Sequence, residues 1–203
     1  MVTHVWKELD AEVAGRLGAV SEGERAVFAT GVAQRLIQAH EAQPTADQRV
    51  FTLSLRPLLE AVWSAALGDA TAFGTIKQGL GAFYVSDYCH NDGRHGPDDA
   101  DEPAAAAVLH AAHAYMHGCA DFAVFASGRA VEVVDELAQE ADDFAADPDE
   151  LRAEELRRQL RDLDLITPHA TALRRARFGL PPATSTQLRT ALRPPLSLPD
   201  DLN

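Results

Sequence analysis

Three histidines on one predicted helix are the residues of this chain best placed to do chemistry. His110, His113 and His117 lie at i, i+3 and i+7 in an alanine-rich run, so on an α-helix they share one face, and Cys119 follows. His113 and His117 have the i, i+4 separation that lets two imidazoles grip one divalent transition metal, with His110 one turn earlier. Cys89, His90, His95 and Cys119 are near in sequence and could complete a shell, and the acids from Asp98 to Glu102 could supply oxygens. Yet Ala114 follows His113, so the HExxH zinc pattern is absent, and there is no CxxC pair. Three histidines on an alanine-rich helix can equally pack as polar core residues bonded to neighbouring carbonyls. A metal-dependent protein or enzyme using this face is the alternative expectation.

Other catalytic patterns are weaker. Asp98, Asp99 and Glu102 imitate an aspartate-rich magnesium motif, but they lie between a Gly/Pro loop and Pro103 with no second acidic motif after them. They read as a solvated helix N-terminus on the favourable side of the dipole. Cys89 and His90 are adjacent, and adjacent side chains seldom face each other productively. The chain has no Gly-x-Ser-x-Gly elbow and no phosphate-binding glycine loop. No catalytic residue and no resident cofactor are expected.

Composition bounds the rest. The 203 residues suit one domain with a tail, and 46% hydrophobic residues are enough for a real core. No apolar run approaches the roughly 20 residues that span a bilayer, so no membrane partner is expected. The N-terminus lacks a basic n-region and an apolar h-region, and two cysteines make no disulfide framework; a cytoplasmic, reduced protein is the expectation. The net charge of −13 is uneven: residues 1–150 hold 9 Lys+Arg against 25 Asp+Glu, a net −16, and residues 151–203 hold 9 Arg against 6 acids, a net +3. An acidic body repels phosphates, which argues against nucleic acid, and it favours encounter with a basic protein.

The elements that must position these residues are helical throughout. Val5, Trp6, Leu9, Val13 and Leu17 follow a 3–4 spacing; Ser21 to Glu24 is a capping box before Val27, Phe28, Val32, Leu36 and Ile37. Thr45 to Gln48 reads as a second capping box, opening a helix in which Pro57 predicts a kink or restart. Asp69 can cap a helix carrying Phe73, Ile76, Leu80 and Phe83, and Pro103 stands at N1 of the histidine helix, with Gly118 dividing it from the next. Asp147-Pro148 is the cleanest helix start, leading Leu151, Leu156, Leu160 and Leu163 inward and leaving Arg152, Arg157, Arg158 and Arg161 outward, with Arg157 and Arg161 in reach of Glu154 and Glu155. Thr167-Pro168 caps a short basic helix. The expectation is an all-α, single domain of about seven or eight helices over residues 1–178, α-solenoid-like if helix pairs stack in a row, with an irregular Pro-rich tail over 179–203.

The middle of the chain carries a resemblance. Trp63 and Gly68, five apart, precede a glycine-punctuated helix, and Tyr115-Met116-His117-Gly118-Cys119 makes a Tyr-x-x-x-Cys motif. This resembles a bacterial polymorphic-toxin immunity family, a mostly α-helical family with Trp-x-Gly and Tyr-x-x-x-Cys motifs. Residues 102–163 are also similar to the uncharacterised YjaG-like all-helical bacterial proteins. The immunity resemblance implies a non-enzymatic protein that neutralises a cognate toxin, here a basic toxin domain, by direct protein–protein contact. A helical homo-oligomer with a structural role is a further expectation.

Overall fold

The computed structural model describes residues 4–90, 102–140, 147–174 and 180–196. Every regular element among them is helical: α1 (Val5–Ala19), α2 (Glu22–Ala42), α3 (Val50–Ser54), α4 (Arg56–Ala66), α5 (Phe73–Tyr84), α6 (Pro103–His117), α7 (Ala120–Glu140), α8 (Pro148–Ile166), α9 (Ala170–Arg174) and α10 (Pro182–Ala191). Short 3-10 turns precede α5 and α9 and follow α5.

The helices gather around α2 and do not stack in a solenoid-like row. Residues Ala26 to Ile37 of α2 are buried without interruption, so α2 needs neighbours on every side. It has them in α4, α6, α7, α8 and α9. Small side chains permit the closest approach: Ala104, Ala105, Ala107, Ala111, Ala112 and Ala114 of α6 are all buried in the core that α2 centres. The capping box at Ser21 forms as the sequence predicts, with Glu24 N–H and carboxylate both bonded to Ser21. Gly118 ends α6 in the left-handed conformation at φ 66°, its N–H donating to the Ala114 carbonyl. Pro57 marks a restart: α3 stops at Ser54 and α4 begins at Arg56 with the proline in its first turn.

Three local expectations change. Thr45 to Gln48 is no capping box, because α3 begins only at Val50; the Gln48 amide donates to the Glu41 and Gln43 carbonyls and so closes the end of α2. Thr167 caps no helix start either: its hydroxyl donates back to the Leu163 carbonyl, carrying α8 on into a 3-10 turn. Within the expected tail, the described residues 180–196 are not irregular throughout. Pro182 supplies the first turn of α10, and Leu180, Leu188, Leu192 and Leu196 are buried in the common core. Four leucines contribute enough apolar burial to hold a proline-rich segment in place.

Candidate functional site

The histidine face forms. α6 carries His110, His113 and His117 along one side, half-buried or exposed, where they meet α7 and the end of α5. The His113 and His117 rings stack at 5.6 Å between centroids. Phe122 lies 5.0 Å from His113 and 5.8 Å from His117, and Phe125 lies 5.4 Å from His110. The Tyr84 hydroxyl meets His113 Nε2 at 2.9 Å. The result is a band of rings across three helices, with Tyr84 47% and Phe125 52% exposed.

The electrostatics of the band favour the neutral forms of His110 and His113. Burial pushes His110 down to about 4, assisted by the nearby charges of Arg129 and His113. Burial, then the charge of His117, also holds His113 below the ordinary imidazole value. His113 Nδ1 is buried without a hydrogen-bond partner. Of the three imidazoles, His113 stacks on Phe122, whereas His110 and His117 meet the phenyl rings at tilted angles. Among the described residues, no group of three or more His, Cys, Asp or Glu is arranged to hold a metal ion.

The other candidates separate. Cys119 is exposed with its thiol 3.5 Å from Asp121, and Cys89 is half-buried. The side chain of His90, and His95, Asp98, Asp99 and Asp101, lie outside the described residues. Glu102 is no free magnesium ligand: it accepts from the Ala105 N–H at 2.9 Å and the Thr52 hydroxyl at 2.7 Å, and it faces His40 Nδ1 at 3.5 Å. His40 Nε2 accepts from the Arg49 N–H at 2.7 Å, so its lone pair is occupied and the His40–Glu102 pair offers no free base.

The residues of the two sequence motifs divide between packing and surface. Trp63 is fully buried, its indole N–H donating to Gln34 at 3.3 Å, and Gly68 turns the chain at φ 109°. Tyr115 borders a cleft of about 500 Å³ between the α1–α2 turn and the end of α4, where burial, with Asp69 nearby, pushes its phenol up.

One cluster escaped the sequence reading. Arg35 of α2 is wholly buried and donates to Asp162 at 2.7 Å and to Glu155 at 3.1 Å, both on α8. Gln159 joins Glu155 at 3.1 Å and accepts from the Ser127 hydroxyl of α7 at 2.5 Å. Glu155 thus pairs inward with Arg35, and Arg157 pairs with Glu150 instead. The available signal was an arginine inside the apolar run of α2 and a glutamate on the leucine side of α8. Enclosed on all sides, this cluster binds helix to helix.

No family model, curated protein or solved structure matches this chain.

Proposed function

We propose that the protein is a non-enzymatic binding module that meets a basic protein partner through the ring band of Tyr84, His113, Phe122 and Phe125, in the manner of an immunity protein covering a toxin. The observation that carries this reading is the exposure of Tyr84 and Phe125 on a rigid helical surface, packed against imidazoles that burial keeps neutral. Aromatic rings on preformed helices bury large area at small entropic cost, the usual composition of interface anchors. The net −16 of residues 1–150 supplies a field that speeds encounter with a basic surface. Co-expression with the product of the adjacent gene is the direct test. A stable complex and rescue from toxicity are expected, with Phe125→Ala weakening the complex about tenfold or more; no complex and no rescue would defeat the reading.

A second reading, transition-metal binding at His113 and His117, rests on their i, i+4 stacking at 5.6 Å on an accessible face. Zinc titration of protein purified without a histidine tag tests it. Stoichiometric uptake that His113→Ala and His117→Ala abolish would promote it.

A further inference from the structure

The cleft beside Tyr115, about 500 Å³ in volume, is large enough to hold a small organic molecule. Its apolar wall is made by Ala26, Ala65, Ala66 and Leu173, and the three alanines leave room for a bulky group. Its charged wall is made by Glu22 and Arg25, three residues apart at the start of α2. Among the described residues, every buried or half-buried arginine except Arg25 has a carboxylate oxygen within 4.0 Å. Arg25 meets carbonyls instead: its Nε donates to Leu17 at 2.7 Å, and Nη1 and Nη2 donate to Gly118 and Gly18 at 2.8 Å. These bonds fix the guanidinium between the ends of α1 and α6 and leave one N–H on each terminal nitrogen for another acceptor.

The Glu22 carboxylate reaches the same glycine, its Oε1 standing 3.0 Å from the point that a Cβ on Gly118 would occupy. Yet Glu22 and Arg25 form no ion pair with each other. Opposite charges held at one residue without closing, beside an apolar wall, match a ligand that carries both charges and an apolar body. We propose that this cleft binds a free amino acid with a large apolar side chain. Its carboxylate would take the open N–H groups of Arg25, its ammonium would face Glu22, and its side chain would lie against Ala65, Ala66 and Leu173. A plain carboxylic acid would meet like charge at Glu22, and a plain amine would meet it at Arg25. The inference is independent of the partner reading above, which uses the ring band and shares no residue with this cleft.

Isothermal titration of the full chain with L-phenylalanine and L-leucine reads the proposal. Saturable binding of at least one, with Kd below about 1 mM, is expected. For L-phenylalanine the matched probes are 3-phenylpropionate, which lacks the ammonium, and 2-phenylethylamine, which lacks the carboxylate. Each should bind at least about tenfold more weakly than the amino acid. Glu22→Gln should weaken the amino acid about tenfold and leave 3-phenylpropionate no weaker than before. Glu22 is exposed, so this variant should keep the parent's thermal midpoint. Ala19→Trp, at the exposed rim of the cleft, should block all the probes. No saturable binding of either amino acid up to about 10 mM overturns the proposal. Single-charge analogues that bind as well as the amino acid overturn it too, as does binding that both variants leave intact.

Discussion

Arg35 Nη1 donates to Asp162 Oδ2 at 2.7 Å from inside the molecule, joining the middle of α2 to the inner face of α8. Burial alone would drive the Asp162 carboxyl well above its ordinary value, and the guanidinium offsets only part of that; the net direction is up. Removing the cation therefore leaves Glu155 buried without its cationic partner and Asp162 facing only Arg158, at 3.9 Å. Arg35→Met is expected to cost about 3–5 kcal/mol in urea denaturation at neutral pH. Asp162→Asn should cost clearly less, because the fold already disfavours the ionised form and Glu155 still holds Arg35. Equal losses for the two variants would show that the cluster is not organised around the arginine.

Acid should weaken the fold through His110. Its value in the folded protein, about 4, lies below the ordinary 6.5, so between those limits the unfolded chain takes up a proton that the folded chain refuses. The stability this provides is whole above about pH 6.5 and is lost as pH falls toward 4. His110→Phe keeps a ring against Phe122 and Phe125, and its stability should fall less steeply over the same window. Denaturation midpoints at several pH values for the two proteins, compared pairwise, isolate this group from the many carboxylates.

Two glycines should respond differently to alanine. At Gly118 an added Cβ would stand 2.6 Å from Cγ of Glu22, whose exposed side chain can swing aside; the left-handed backbone remains, and about 1–2 kcal/mol is expected. At Gly23 the added Cβ would stand 2.6 Å from the Leu173 carbonyl oxygen, which is backbone and cannot step away without moving α9. Gly23→Ala should cost more than Gly118→Ala, about 2–3 kcal/mol, when both variants are unfolded in urea.

The C-terminal segment should prove to be part of the core. Leu192 is fully buried against Gly31 of α2, and the Arg158 guanidinium donates to the Pro194 and Pro195 carbonyls at 3.1 and 3.0 Å. Leu192→Ala is expected to cost about 2–5 kcal/mol in denaturant unfolding. A change near zero would mean that the segment is only laid on the surface.

The sequence by itself determined the helices and their punctuation, because those signals are local. Ser21 and Glu24, Asp147 and Pro148, and Gly118 act within one turn of where they stand, and period-3.6 apolar spacing names the inward face. It also determined that His110, His113 and His117 share a face, since spacing alone fixes that. What α6 presents that face to was decided only in three dimensions. Phe122 and Phe125 come from α7 and Tyr84 from α5, and their rings make the histidines part of an aromatic band. Tertiary structure alone likewise turned Glu155 inward, because its partner Arg35 lies 120 residues away in sequence. It also docked the proline-rich end, where Leu188, Leu192 and Leu196 follow helical spacing but only the closed fold supplies the core they enter. Local hydrogen bonding is written in neighbouring residues; the pairing of buried charges and the docking of leucines depend on which helices close around α2.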